Sequence, residues 1–339
     1  MNFGLIGCGA IARFHAEAIG MTEGAVLAGV ADARPEAAKS FAADYQIHAY
    51  QSVEELLSSP AIDAVCICTP SGLHAPLAIQ AAEHGKHMVI EKPVALTVDS
   101  ANEIIAACEK NHVTVAVVSQ LRFSPDVQCV KQLVESGEMG QIISAGLEMK
   151  YFRSDEYYAA SNWRGTWKMD GGGALMNQGI HGVDIMSFVM GGVKSASGQI
   201  KTLAKKIEVE DTAVAALEFV NGALGTITAS VATNPGYPRT LTISSTKGTL
   251  VLEEQHIKSC DIEGISLPLQ SAEIHNYGTS NPTDIPVEGH VRQIKDFIEA
   301  VQQNRQPFVN LAEGKKAIEI IEGIYTSSRT GKRVIIGEK

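Results

Sequence analysis

The chain has 339 residues, 45% apolar and 19% charged, with a formal net charge of −10. This length points to two domains, and the acidic balance argues against a nucleic-acid surface and against attraction to anionic membranes. No run is long enough to span a bilayer, and the six scattered cysteines form no C-x-x-C or Cys/His cluster, so no metal is expected. The apolar N-terminus lacks a basic leader and is interrupted by Arg13, His15 and Glu17, which is not a signal-peptide pattern. Cys66 and Cys68 alternate on an apolar strand and face the same way. Buried free thiols fit a reducing compartment, so the expected location is cytoplasmic.

Asn2-Phe3-Gly4-Leu5-Ile6 reads as a strand. It breaks into Gly7-Cys8-Gly9-Ala10-Ile11-Ala12, a G-x-G-x-x-A loop, and Ile11, His15, Ala18 and Ile19 then recur at helical spacing. Strand, glycine loop and helix in this order form a dinucleotide-binding fingerprint. Gly7 permits the sharp turn, Gly9 lets a pyrophosphate approach the backbone, and Ala12 lets the helix pack on the strand. The helix N-terminus at Ala10 and Ile11 offers N–H groups and a positive dipole end to the phosphates. A second strand over 26–31 ends at Asp32, 25 positions past Gly7 (32 − 7). A carboxylate there accepts hydrogen bonds from the ribose hydroxyls and repels a 2′-phosphate, so NAD is expected over NADP. Arg34 is the residue that could hold such a phosphate. The plainer alternative for Asp32 is a turn or a cap for the helix after Pro35.

Strands and helices alternate from there: helix 36–43, strand 48–50, helix 53–57, strand 64–68, helix 74–84, strand 87–90, helix 98–110 and strand 113–118. Such alternation predicts an α/β fold with a doubly wound parallel sheet, whose ligands lie beyond the carboxyl ends of the strands. Gly7, Asp32, Thr69, Glu91 and Gln120 all stand at such ends. The pattern changes near 121, which sets the expected domains at 1–120 and 121–339, with the C-terminal helix able to pack back on the first. Next come a helix over 125–135, a strand over 142–152, a polar and aromatic loop over 153–173 and a helix over 174–189. Strands follow over 196–203, 212–219, 223–231, 240–245 and 249–252, with Asn221-Gly222 as a hairpin turn. They are expected to form an open, largely antiparallel sheet. A loop over 261–285, helices over 287–303 and 311–329, a capping Gly331 and a short strand over 334–336 complete the chain.

Glu91-Lys92-Pro93 follows a buried strand and lies toward the nicotinamide end of a bound dinucleotide. Partial desolvation beside a cationic ring lowers a lysine's pKa and suits it to proton transfer. The alternative is a solvated lysine in a turn before Pro93. Asn177, His181 and Asp184 recur at i, i+4, i+7, one face of a helix, where His181 is either an oriented acid/base or a helix histidine satisfied by Asp184. Gly171-Gly172-Gly173 before it allows a close approach to a ligand or a flexible joint. Trp163-Arg164-Gly165-Thr166-Trp167 pairs an arginine with two aromatic planes, suited to a sugar or base and to a carboxylate or phosphate. Arg122, where the two halves meet, contacts substrate or bridges the domains. Tyr151, at the end of the long strand, joins the candidate substrate-binding set of Lys92, Arg122, Trp163, Arg164, Asn177 and His181.

The G-x-G-x-x-A start, Thr69-Pro70 followed by His74, Glu91-Lys92-Pro93 and Gly179-Ile180-His181-Gly182-Val183-Asp184 together resemble the Gfo/Idh/MocA oxidoreductase family in matching order. The resemblance implies a Rossmann domain followed by an α/β domain whose open sheet carries substrate residues and usually an oligomer interface, hence a homodimer or homotetramer. It implies oxidation or reduction of a secondary alcohol on a sugar, cyclitol or related compound. It adds Thr69, Pro70, His74, Glu91, Lys92 and Gln120 to the cofactor-binding set and places Lys92 and His181 at the catalytic positions. Many members carry Asp four residues before the histidine; here that position is Asn177, whose amide cannot take up a proton. The stretch from Tyr157-Tyr158 to Trp163-Arg164-Gly165-Thr166-Trp167, with Met176-Asn177-Gln178, is most similar to the nucleotide-sugar branch, which includes UDP-2-acetamido-2-deoxyglucuronate 3-dehydrogenases. The expected activity is NAD-dependent dehydrogenation of a ring alcohol. Two alternatives stay open: a glycosidase that uses NAD transiently, and a non-catalytic dinucleotide-sensing protein.

Overall fold

A computed structural model describes residues 1–267 and 286–337. The part of the expected 261–285 loop from 268 onward lies outside the described residues. The elements in chain order begin with β1 (Asn2–Ile6), α1 (Ala10–Met21), β2 (Val26–Ala31), α2 (Pro35–Tyr45), β3 (His48–Ala49) and α3 (Val53–Ser58). They continue with β4 (Ala64–Ile67), α4 (His74–Glu83), β5 (His87–Ile90), α5 (Val98–Asn111) and β6 (Val115–Val117). After them come α6 (Pro125–Ser136), β7 (Ile142–Lys150), α7 (Asp155–Ala159), a π-helical turn (Ala174–Gly179) and α8 (Ile180–Met190). Strands β8 (Val193–Lys201), β9 (Thr212–Phe219), β10 (Leu224–Ser230), β11 (Thr240–Ser245), β12 (Gly248–Glu253) and β13 (His256–Ile262) follow. The chain closes with α9 (Glu288–Gln302), α10 (Leu311–Thr330) and β14 (Val334–Ile335).

The described residues fall into two compact units. One holds Met1–Gln120 with Pro286–Lys315; the other holds 121–267 and 316–337. The first is built on a six-stranded parallel sheet of order β3-β2-β1-β4-β5-β6. Its order reverses between β1 and β4, the switch point at which sheets of this kind bind ligands. Every residue of β4 is buried, as a strand covered on both faces requires. Ser52 and Thr97 cap α3 and α5 by accepting the N–H groups of Glu55 and Ser100. Helix α9 belongs to this unit although about 170 residues separate it from β6. Ile294, Phe297 and Ile298 enter the core formed by β1 and α1, and Gln293 accepts from Ser119 N–H at 3.1 Å and donates to the Val117 carbonyl at 2.5 Å.

The second unit carries an eight-stranded sheet of order β13-β12-β11-β7-β10-β9-β8-β14. All its neighbours are antiparallel except β7 and β10. The hairpin at Asn221-Gly222 is closed by Asn221 Oδ1, which accepts the Ala223 N–H at 3.0 Å. Three local features differ from expectation. The polar stretch after β7 contains α7, whose N-terminus Ser154 caps by accepting the Tyr157 N–H. Strand β13 stands as an element of its own, because pairing with β12 stabilises a run with weak alternation. The helix expected over 174–189 is divided, with a π turn before α8 in which the Gln178 N–H reaches the Gly173 carbonyl at 3.1 Å.

Packing at the start of that turn explains the division. Buried Glu210 accepts from the N–H groups of Gly173 and Leu175 at 3.0 and 2.9 Å and from the Tyr325 hydroxyl at 2.8 Å. A Cβ on Gly173 would run into the Glu210 carbonyl, and one on Gly172 into Tyr325. The triple glycine therefore permits close packing here rather than serving as a flexible joint. Gly179 and Gly182 bring α8 against Met149 of β7 in the same way.

These contacts separate two kinds of glycine. Gly7 has φ +100°, and a Cβ there would stand 2.7 Å from the Cys68 carbonyl oxygen; nothing lies within 4 Å of a Cβ on Gly9. Gly7→Ala and Gly173→Ala are each expected to destabilise the fold by about 2–4 kcal/mol. Gly9→Ser, which keeps a good N-cap for α1, is expected to change stability by less than about 0.5 kcal/mol. Urea denaturation of the three variants measures the contrast.

Candidate active site

The first unit gathers the expected cofactor residues at the carboxyl edge of its sheet. Asp32 turns back to the glycine loop: its Oδ2 accepts the Cys8 N–H and its Oδ1 the Arg34 N–H, both at 2.8 Å. Arg34 Nε lies 3.4 Å from Oδ1, but the side chain is 75% exposed and faces solvent. Burial and the Asp32 charge push the Cys8 thiol up to about 12, so it stays neutral beside the loop. Gly9 ends the loop with open space above it, and Ala10, Ile11 and Ala12 begin α1. Thr69 Oγ1 and Gln120 Oε1, just beyond β4 and β6, are buried with no hydrogen-bond partner. Unmet polar atoms are rare in native interiors. An open glycine cradle, a carboxylate at the second strand end and two unmet polar atoms on the same edge fit a dinucleotide.

Two expected cofactor residues turn inward. His74 is 1% exposed, and its Nδ1 and Nε2 lie 2.7 and 2.9 Å from the carbonyls of Pro93 and Thr69. It braces the Thr69-Pro70 turn against the Lys92-Pro93 turn rather than presenting a nitrogen to a ligand. Burial lowers its pKa against the pull of those carbonyls. Glu91 likewise turns inward. Its Oε1 is 2.7 Å from His15 Nε2, and its Oε2 accepts the Lys92 N–H at 3.2 Å. Burial opposes charge on Glu91, yet the hydrogen bond and charge of His15 hold its carboxyl at about 2. Burial likewise works against charge on His15, while the Cys68 and Cys66 sulfurs beside it pull its pKa above the usual histidine range. Burial pushes the Cys68 thiol up to about 11, and the group at hydrogen-bond distance from His15 Nε2 is the Glu91 carboxyl. Lys92 is half-buried at the tip of this turn, whose Lys92–Pro93 peptide is cis.

In the second unit nine of the eleven residues of α8 are buried. His181 and Phe188, seven apart and on one face, are the exceptions. The Asp184 carboxylate takes a two-pronged bond from Arg122, at 2.6 and 2.9 Å. Arg122 is 1% exposed and lies over the Phe188 ring at 4.7 Å. Its guanidinium therefore meets a carboxylate of its own chain and fixes α8. Asn177 sits in the π turn, so the expected single helical face is interrupted. Its amide donates to Asp170 in a short hydrogen bond and accepts from Gln178 at 3.1 Å.

Around this turn the structure assembles a cationic and aromatic cluster. Arg153 donates to Gln178 at 2.8 Å and lies over Tyr151 and Tyr157. Arg164 lies over Tyr157 and Trp163 at 4.6 and 4.9 Å, and its Nε is buried with no partner. Tyr151 is 5% exposed, and burial pushes its hydroxyl up to about 12. Expected residues Tyr151, Trp163, Arg164 and Asn177 are thus linked in one network. Arg153, Asp170 and His290 carry no motif in the sequence, and His15 shows there only as part of the helical period after the glycine loop. Arg153 follows the apolar end of β7 without any periodic signal, and His290 lies about 200 residues from the turn it approaches.

Residues 1–119 match the Gfo/Idh/MocA oxidoreductase family, NAD-binding Rossmann fold, and residues 127–251 match the Gfo/Idh/MocA C-terminal domain. The WlbA dehydrogenase from Bordetella pertussis, solved in complex with NADH and UDP-GlcNAcA, is 32% identical, with a TM-score of 0.89 over 100% of this chain and 99% of its own. An uncharacterized oxidoreductase of Bacillus subtilis, YrbE, is 28% identical over 98% of this chain and 96% of its own. The myo-inositol 2-dehydrogenase of Thermotoga maritima is 25% identical over 94% of this chain and 93% of its own. With the glycine cradle, the Glu91-Lys92-Pro93 turn and the helix bearing His181 all present, the chain belongs to the Gfo/Idh/MocA family of NAD-binding oxidoreductases.

Proposed function

We propose that this protein is an NAD-dependent dehydrogenase acting on a ring secondary alcohol of a nucleotide-linked sugar acid, with Lys92 and His181 as its proton-handling groups. The observation that carries the substrate class is the cluster of Arg153 and Arg164 interleaved with Tyr151, Tyr157 and Trp163. Aromatic planes suit a sugar ring, and the half-buried Arg164 guanidinium, whose Nε is buried and unmet, suits a carboxylate or phosphate. The full-length likeness to a dehydrogenase solved with UDP-GlcNAcA supports the same class.

NAD supplies the hydride acceptor. As hydride leaves the alcohol carbon, its hydroxyl proton must leave too, and the Lys92 amine or the His181 imidazole accepts it. Asn177 has no proton to exchange and serves as a hydrogen-bonding group. Gly9 and the first turn of α1 hold the pyrophosphate, Asp32 accepts from the ribose hydroxyls, and Thr69 and Gln120 supply unmet polar atoms along the same edge. Arg122, through Asp184, keeps α8 in place.

The six cysteines are free, which supports a reducing, cytoplasmic setting. No helix of the described residues is long and apolar enough to cross a membrane. Ile143, Val214 and Leu224 are exposed on strands of the second sheet, which supports association through that face as a homodimer or homotetramer. Light scattering at micromolar concentration is expected to give an oligomer mass; a clean monomer overturns the association.

Asp32 is expected to make NAD bind more tightly than NADP, and Asp32→Ser to narrow that difference by roughly tenfold or more. Titration calorimetry with both cofactors measures it, and tighter NADP binding by the wild type would assign the pocket to Arg34. With UDP-GlcNAcA as the trial substrate, NADH is expected to accumulate with a product oxidised at one ring carbon. Hydrolysis without NADH would mark the eliminating reaction instead. Lys92→Met is expected to lower kcat by roughly two to four orders of magnitude with little change in NAD affinity. His181→Asn is expected to lower it less, and the double variant by less than the product of the two. Near wild-type single-turnover hydride transfer in Lys92→Met would return the lysine to a turn residue before Pro93.

A further inference from the structure

Behind the Lys92 turn lies a buried cluster drawn from three distant parts of the first unit: His15 on α1, Glu91 after β5 and His290 on α9. One ligating atom from each lies within 4.8 Å of the others. His15 is 1%, Glu91 5% and His290 2% exposed. The His15 and His290 rings meet edge to face at 5.5 Å, and Phe14 flanks His290 at 6.2 Å. We propose that His15 is a positioning residue for Lys92 that acts through the Glu91 carboxylate, with His290, whose ring nitrogens have no hydrogen-bond partner, packed behind the pair. The proposal rests on the assignment of Lys92 as a proton-handling residue.

The chain of contacts is short. Glu91 receives His15 on one oxygen and the Lys92 N–H on the other, so the backbone of the reacting lysine hangs from a carboxylate that His15 keeps in place. A carboxylate this deeply buried is costly unless paired. Remove the His15 partner, and Glu91 must take up a proton or turn toward water, and either change releases the Lys92 N–H. His15 stands on the helix whose N-terminus forms the pyrophosphate cradle, one and a half turns past Ala10. Helix α9 closes the cluster from the other side and also holds the strand end before Gln120 through Gln293. The titratable groups facing Glu91 are His15 on α1, Cys66 and Cys68 from β4 and the residue after it, His74 on α4, Lys92 in the turn and His290 on α9. Burial holds the His290 pKa down at about 4, so His290 stays neutral and fills the back of the cluster without adding charge. The group bonded to Glu91 is His15, on the carboxyl oxygen opposite the one that takes the Lys92 N–H.

The test compares His15→Asn, Glu91→Gln and His290→Gln in the full-length protein, each alone and combined with Lys92→Met. Single-turnover hydride transfer from the alcohol substrate, NAD affinity and the pH profile of kcat are read for all. His15→Asn and Glu91→Gln are expected to slow hydride transfer by roughly ten- to a hundredfold with NAD affinity within about threefold, and to move the pH midpoint of kcat. His290→Gln is expected to slow it by roughly two- to fivefold. In the Lys92→Met background none of the three should slow the reaction further, because groups acting as one unit do not add. A purely structural role predicts equal loss in both backgrounds and an unmoved pH midpoint, and that result overturns the proposal. So does wild-type hydride transfer in His15→Asn alongside a slow Lys92→Met. A fast Lys92→Met overturns the assignment of the lysine itself. Zinc inhibition at micromolar concentration that His290→Gln abolishes would make the cluster a metal site and overturn the positioning role. Should Glu91→Gln fail to fold, Glu91→Asp, which keeps the charge but shortens its reach, is expected to slow hydride transfer without loss of NAD binding.

Discussion

The carboxylate of Glu91, buried against His15 and bonded to the Lys92 backbone, is the point on which the first unit's chemistry hangs. A charge taken out of water has to be matched where it stands. That requirement holds α1 in register with the end of β5, because His15 must reach Glu91 from the helix that follows the glycine loop. The same contact therefore relates the cradle for a pyrophosphate to the turn that carries the lysine. His74 adds a second tie, joining the Thr69-Pro70 turn to the Lys92-Pro93 turn through two carbonyls. Two strand ends and helix α1 are thereby fastened to one another by buried side chains.

The second unit solves a comparable problem with glycine and with one buried acid. Glu210 gathers the N–H groups of Gly173 and Leu175 and the Tyr325 hydroxyl. Burial raises its pKa in spite of those donors. Without a Cβ at Gly172 and Gly173, the chain comes close enough for this acid to start the π turn. The turn carries Asn177 and leads directly into α8, where Gly179 and Gly182 press the helix on β7 and leave His181 on its less buried face. Arg122 and Asp184 then lock the helix from the other side, so His181 sits on an element held at both its start and its middle.

Features set by short stretches are legible in the order of amino acids: the turn at Gly7, the open loop at Gly9 and the strand end before Asp32 follow from backbone shape, and a strand, a glycine loop and a helix announce themselves by periodicity. Residues whose role depends on partners far along the chain were read with less success. His74 and Glu91 were expected to face a cofactor, and both turn inward. Asp184 also bonds Arg122, 62 positions away in the chain. The even i, i+4, i+7 spacing assumes an unbroken α-helix, and the π turn over Ala174–Gly179 interrupts it.

What the sequence by itself determined is the alternation that builds a doubly wound parallel sheet, the dinucleotide fingerprint at its first turn, and the strand ends where ligand-facing residues gather. Apolar periodicity and glycine placement are properties of short stretches, and the physics of a strand, a tight turn or a helix N-terminus acts over the same few residues. Only the tertiary structure decided that residues 286–315 rejoin the first unit, that His290 comes to lie against a pair formed by His15 and Glu91, and that Arg153 and Arg164 share aromatic planes with Tyr157. Those outcomes are set by which buried charge finds which partner. Nothing in the spacing of residues along a chain encodes a pairing between groups separated by tens or hundreds of positions. It is fixed when the core closes and each desolvated group must find a hydrogen bond or a counter-charge within reach.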